Sequence, residues 1–375
     1  MKNNIFDYAT SELSQDAFIC WCVNWFNDDS RPALKEMAIK LLKKFSGAAT
    51  IDKLDIFKQF SRNVTIKENE ISLKIDVLLI VNGSIAVIIE DKTYTGEHDN
   101  QIKRYKDGLE YLASKADEKD FYGVKDIRTA FLKTGFMYDN DKCVKADVVI
   151  TGEQFLEYLT PYEGNSEILD SYIAKLKELL QWYKDFGRYE ETTLDSFWEW
   201  NIAKHQIAQY RLMRDIFPET QWKDRDSWLY RVYHGTNMGG RQWTEMYIFE
   251  ETYKDTKDYY SVFWRIDTDN NGPFISLRFY EKLDKNDDAK IERHRNLYES
   301  MSATLKEIVT ENSDKFFFKE WKDIYPGYRG NYRESSLIHL NIKEKLESWS
   351  DEKEKVIQSI RELTRLFCEK LEGTI

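Results

Sequence analysis

The chain has 375 residues, of which 42% are hydrophobic and 32% charged, with 16 Gly and 5 Pro. That length allows one large domain or two of ordinary size, and that balance supports a buried core and excludes a disordered, collagen-like or low-complexity chain. A formal net charge of −11, from 55 basic and 66 acidic residues, argues against a protein that coats DNA by neutralising its phosphates, but leaves open a metal-dependent enzyme acting on nucleic acid, whose site itself needs carboxylates.

No apolar run approaches the roughly 18 to 20 residues that cross a bilayer. The opening Met1-Lys-Asn-Asn lacks a signal-peptide hydrophobic region. The expectation is a soluble cytoplasmic protein with no membrane partner. The four cysteines, Cys20, Cys22, Cys143 and Cys368, form no metal-binding spacing and read as small apolar residues in a reducing compartment.

In chain order, Ser14 is placed to cap a buried helix over the apolar block 17–26, and a second helix is expected over 33–45. Strands are expected at 63–67, 73–81 and 85–92, the last two joined by the hairpin signal Asn82-Gly83. From Gln101 to Leu112 the apolar spacing becomes helical. Strands at 128–132 and 147–151 and helices over about 152–189 complete an α/β sandwich around a mixed sheet. From about 190 the pattern shifts to Trp- and Tyr-rich helix, then strands at 244–249, 259–266 and 274–280, then helices. The expected division is therefore 1–190 and 191–375, the latter a smaller α+β domain for substrate or partner recognition.

The chemistry gathers on the first hairpin. Glu90 and Lys92 share one face of their strand and Asp91 points to the other. A three-residue loop puts Asp76 opposite Glu90, and a two-residue loop puts it opposite Ile89. Charges beside Val, Leu and Ile are costly unless they pair or bind a cation, so two carboxylates and an ammonium here make a compact site suited to Mg²⁺. The plainer reading is a salt bridge between Lys92 and either carboxylate.

Asp76, thirteen intervening residues, then Glu90-Asp91-Lys92 resembles the Asp…(Asp/Glu)-x-Lys signature of the PD-(D/E)XK nuclease superfamily, with Ile75 where Pro often precedes the Asp. Gln101-x-x-x-Tyr105 resembles the helix opening of its RecB-like exonuclease branch, and Glu12 resembles the extra N-terminal acidic residue of many members. The resemblance spans roughly 1–190 and implies a restriction-endonuclease-like fold. It also implies Mg²⁺, with Mn²⁺ able to substitute, held by Asp76, Glu90 and the backbone carbonyl of Asp91. Lys92 would position the attacking water, and Gln101 and Tyr105 would touch substrate. Lys103, Arg104 and Lys106 either bind backbone phosphates or form a solvated basic face.

Other signals are weaker. Asp267-Thr-Asp-Asn-Asn-Gly272 starts like a calcium loop but has Arg278 where a bidentate Glu belongs, so it reads as a hairpin turn. Residues 235–241 are glycine-rich without a phosphate-loop lysine and read as a loop. The five histidines form no zinc pattern, and His98, near the site, reads as structural. Residues 325–333 interleave aromatic and basic side chains and read as a surface loop, with nucleic-acid gripping as the alternative. The leading expectation is a Mg²⁺-dependent deoxyribonuclease acting on DNA, with RNA left open, by analogy in restriction or phage defence, alone or with a homodimer or protein partner. The alternatives are a dormant nucleic-acid-binding module and a ligand or protein sensor acting through the C-terminal half.

Overall fold

The computed structural model describes residues 4–8, 12–66, 68–96, 100–115, 117–185, 187–191, 194–222, 227–236, 240–253, 258–269, 272–281, 287–318, 320–328, 334–342 and 348–372. The chain divides into two units, Met1–Lys184 and Asp185–Ile375. Among the described residues no helix is long and apolar enough to cross a membrane.

The first unit runs α1 (Glu12–Asn24), α2 (Pro32–Ser46), β1 (Leu54–Ile66), β2 (Asn69–Val81), β3 (Ile85–Lys92), α3 (Gln101–Ala113), β4 (Asp126–Lys133), α4 (Asp139–Lys142), β5 (Val148–Thr151), α5 (Gly152–Leu159) and α6 (Glu167–Asp185). Its sheet has the order β1-β2-β3-β4-β5. The first three strands pair antiparallel, and β3, β4 and β5 pair parallel. This is the expected mixed sheet. Val77, Leu79, Val81, Val87 and Ile89 face a core shared with α1, α2, α5 and α6. Leu78, Ile80, Ala86 and Ile88 face a smaller core under α3. Strands buried on both faces explain the near-continuous apolar runs around the hairpin.

Local chemistry sets the boundaries. Pro32 opens α2, where its missing N–H costs nothing, and Gly47 closes it at φ 69° with its N–H bonded to the Lys43 carbonyl. Thr151 and Gln154 exchange bonds in a capping box that starts α5. Ser14, expected as a cap, instead lies inside α1, which begins at Glu12. The β2–β3 connection is the three-residue loop Asn82-Gly83-Ser84, with Val81 opposite Ile85. Asn82 (φ 55°) and Gly83 (φ 66°) take the left-handed conformations this turn requires. The Asn82 side chain pins it by accepting from the Asp52 N–H and donating to the Thr50 carbonyl.

The second unit runs α7 (Leu194–Phe197), α8 (Ile202–Ile216), β6 (Val232–Thr236), β7 (Gln242–Thr252), β8 (Tyr259–Asp269), β9 (Gly272–Glu281), α9 (Asp288–Glu311), α10 (Trp321–Ile324), β10 (Glu334–Asn341) and α11 (Trp349–Glu372). Its sheet is antiparallel throughout, in the order β10-β9-β8-β7-β6. The unit is α+β as expected, though no smaller than the first. Asp269 pairs with Gly272, so the two ends of the calcium-loop mimic lie in the antiparallel strands β8 and β9, and residues 270–271 between them fall outside the described residues. Buried His294 of α9 bridges Glu281 (3.3 Å) and Ser335 (3.2 Å), tying that helix to β9 and β10.

Candidate active site

The hairpin register continues toward Asp76 and Glu90 as neighbours, because Val77 pairs with Ile89 at its last rung. Asp76 lies at a break in the β1–β2 ladder. Pairing passes from Lys58↔Val77 to Phe60↔Ile75, skipping Gln59, which has φ 48°. Phe57 and Phe60, three residues apart, consequently pack against the same small core, as do Ile75 and Leu78. A strand that kept strict period two would put each pair on opposite faces. The break lets one carboxylate approach groups on both sides of β3.

On one side is the Glu90–Lys92 pair. Lys92 Nζ lies 2.5 Å from Glu90 Oε1 and 3.7 Å from Asp76 Oδ2. Glu90 is wholly buried and Lys92 is buried beside it. On the other side stand Asp91 and Asp16 of α1. One carboxylate oxygen each from Asp16, Asp76 and Asp91 lies within 4.8 Å of the others. The Asp91 N–H points to Asp76 Oδ2 at 3.4 Å. Asp76 thus belongs both to the ion pair of Glu90 with Lys92 and to the acidic trio with Asp16 and Asp91.

The electrostatics are frustrated. Among the described residues neither oxygen of Glu90 or Asp91 has an aligned hydrogen-bond partner. Burial, then the Asp76 charge, pushes the Glu90 carboxyl up to about 7 despite Lys92. Burial and the neighbouring Asp16 push Asp91 far above the usual carboxylate range. Clustered buried carboxylates that a proton or a cation must neutralise form a hard-ligand set suited to a divalent cation such as Mg²⁺ or Mn²⁺.

The position of Asp16 is set by its neighbour. Gln15 Oε1 accepts from Thr93 Oγ1 (3.1 Å) and Thr134 Oγ1 (3.0 Å), and the two threonine hydroxyls lie 3.1 Å apart. Thr93 follows Lys92, and the Thr134 N–H bonds to the Lys92 carbonyl at 3.1 Å. The clamp fixes α1 against the ends of β3 and β4. A cavity of about 100 Å³ opens beside it, bordered by Gln15, Thr93, Thr134 and Tyr94.

Gln101 and Tyr105 sit one turn apart on α3, and Gln101 Nε2 donates to the Tyr105 hydroxyl at 2.8 Å. Burial, with the charges of Glu90 and Asp76 adding to it, raises the Tyr105 hydroxyl above its ordinary value. Lys103 and Arg104 are exposed on the same helix, Lys103 with its ammonium 3.6 Å from Asp107, and Lys106 is half-buried. Glu12 belongs to α1, but its side chain falls outside the described residues, as does His98. Asp16 and the Asp91 side chain are the members that sequence reasoning missed. The available signal was Asp16 lying one helical turn after Glu12, just ahead of an apolar run.

Neither a curated protein nor a solved structure matches the chain. A family model described as the PD-(D/E)XK nuclease superfamily matches residues 3–197, the span that carries the mixed sheet, Asp76, Glu90 and Lys92. The first unit accordingly has a restriction-endonuclease-like fold, followed by an α+β C-terminal region. On that match, which covers more than half its length, the chain belongs to the PD-(D/E)XK nuclease superfamily.

Proposed function

We propose that the protein is a deoxyribonuclease that uses Mg²⁺, or Mn²⁺ in its place, to hydrolyse DNA phosphodiester bonds. The observation that carries this reading is the acidic trio Asp16, Asp76 and Asp91, joined through Asp76 to the buried pair of Glu90 with Lys92, in a chain of this family. Asp76 and Asp91, with Glu90 or Asp16 completing the set, would hold the cation. A bound divalent cation supplies charge neutralisation at the phosphate and lowers the pKa of a coordinated water.

The remaining work falls to the chain itself. The buried Lys92 ammonium is held by Glu90 and Asp76. There it orients the water that attacks phosphorus and stabilises negative charge developing on the phosphate. Attack forms one P–O bond and breaks another, and the leaving oxygen takes up a proton. Gln101, steadied by Tyr105, offers its remaining amide hydrogen-bonding capacity to the strand being cut. Arg104, three residues after Gln101, would extend this face toward backbone phosphates, and Lys103 would meet them from another side of the helix.

The test is incubation of linear and closed-circular DNA with the full chain in Mg²⁺, Mn²⁺ or excess chelator. The reading expects cutting that the chelator abolishes, and the circular substrate separates internal from end-dependent cleavage. Metal-independent cutting, or none with either metal on any DNA or RNA substrate, would contradict it.

A further inference from the structure

The C-terminal sheet has two unlike faces. Through one, its long helices reach the core. Trp264 Nε1 donates to Thr364 of α11 at 2.8 Å, Thr244 donates to Gln209 of α8 at 3.2 Å, and His294 of α9 stacks on Phe279 at 4.4 Å. The other face carries cross-strand rows. Tyr233, Glu245 and Arg265 are successive partners, as are Tyr247, Phe263 and Arg278, and Ser261 pairs with Tyr280.

On this second face lies an open cleft of about 450 Å³, within the size range of ligand sites. Its walls are the rings of Trp228, Tyr233, Trp243 and Tyr280, and Glu245 and Ser261 lie in its lining. Glu245 is buried against Arg265, whose Nη1 lies 2.9 Å from Oε1 and whose guanidinium sits 5.2 Å from the Trp243 ring centre. Ser261 is 1% exposed, and its hydroxyl has no hydrogen-bond partner among the described residues. A buried hydroxyl without a partner is costly, so its place in a cleft wall calls for a ligand that can bond to it.

The chemistry selects the ligand. An ammonium group would find Glu245, the carboxylate of the cleft lining, already paired with Arg265. A purely aliphatic ligand would leave Ser261 unpaired. A nucleobase offers π-faces for the rings and an edge with donors and acceptors for Ser261 and Glu245. The cleft is open, which suits a base still joined to its backbone. We propose that it binds an unpaired base of a nucleic-acid strand, so that the C-terminal unit recognises single-stranded or unstacked substrate. This rests on the nuclease reading above.

The test uses the full chain carrying Glu90→Ala, in chelator, with a short fluorescein-labelled single strand followed by anisotropy. DNA and RNA versions of the strand, its duplex and a free mononucleotide are the other probes. The proposal expects the single strand to bind more tightly than the duplex. It expects added Trp243→Ala to weaken binding about tenfold, the scale of one lost base–ring stack. Added Ser261→Ala, a small change that keeps the fold, should weaken it less. Circular dichroism reports folding of each variant. Unchanged binding in both variants, equal binding of duplex, or a mononucleotide competing as well as the strand would overturn the proposal. Metal-dependent cutting by the unmutated chain is assayed in parallel. Cutting together with unchanged variant binding removes only the base cleft. Cleft-dependent binding without any cutting removes only the nuclease reading.

Discussion

Neutralising Asp91 should stabilise the metal-free protein. One oxygen each from Asp16, Asp76 and Asp91 lies within 4.8 Å of the others, and two unit charges at that limit repel by about 3 kcal/mol at an effective dielectric of about 20. Glu90 carries a parallel strain, from burial first and then from the Asp76 charge. Its carboxyl is raised from 4.5 to about 7, equivalent to about 3 kcal/mol at 1.36 kcal/mol per pKa unit. The sign follows from linkage. A carboxyl raised on folding contributes stability below its unfolded value, and that contribution is lost as pH rises through about 7. The metal-free chain should therefore melt at a lower temperature at pH 8.5 than at pH 6. Protonation already relieves part of the strain, so Asp91→Asn should recover about 1 to 3 kcal/mol at pH 8.5, a shift of about 3 to 9 °C for a unit of this size. Mg²⁺ or Mn²⁺ should raise the melting temperature of the unmutated chain and have much less effect on the variant. Differential scanning calorimetry in chelator and in metal decides the matter. Asp91→Asn destabilising the metal-free chain at pH 8.5, or a melting temperature indifferent to both pH and metal, would refute the reasoning.

Tyr105→Phe removes the 2.8 Å bond that steadies Gln101. It should slow cleavage about three- to tenfold, with a stability loss near 1 kcal/mol; single-turnover rates beside urea unfolding check this, and an unchanged rate counts against a role for Gln101. A Cβ on Gly135 would lie 1.7 Å from the Thr93 carbonyl oxygen, whereas one on Gly108 would meet the movable Leu73 side chain at 2.5 Å. Gly135→Ala should thus cost more than about 3 kcal/mol and Gly108→Ala about 1, read from urea midpoints. Arg265→Ala strands Glu245 and Asp267 in a buried setting and should cost about 3 kcal/mol or more, with adding Glu245→Gln recovering part of it in a double-mutant cycle.

The hairpin that carries Asp76, Glu90 and Lys92 was legible because Asn82-Gly83 fixes a turn and the flanking runs are buried on both faces. The loop length, and with it the register, was not, since two- and three-residue loops are both compatible with those residues. Asp16 was hidden because its place depends on tertiary bonds from Gln15 to Thr93 and Thr134. Asp91 was given only the backbone role that the family resemblance implied, and strict alternation turned its side chain away from the face of Glu90 and Lys92. The ladder break at Gln59 and Asp76 undoes that geometry, and nothing in the local pattern announces it. The front half of β1 and the whole of β6 and β10 also escaped notice. All three are edge strands of their sheets. Lys58, Gln59 and Arg62 on β1, like Gly235 on β6, blur the alternation by which buried strands are recognised.

The most direct measurement is single-turnover cleavage of a DNA substrate in Mg²⁺ by the unmutated chain, Glu90→Ala and Lys92→Ala, each first shown to be folded by circular dichroism. The predicted result is metal-dependent cutting that falls at least about 100-fold in both variants, the scale of removing a group that stabilises transition-state charge. Cutting that persists in folded Glu90→Ala and Lys92→Ala at the unmutated rate would place the chemistry elsewhere and contradict the account.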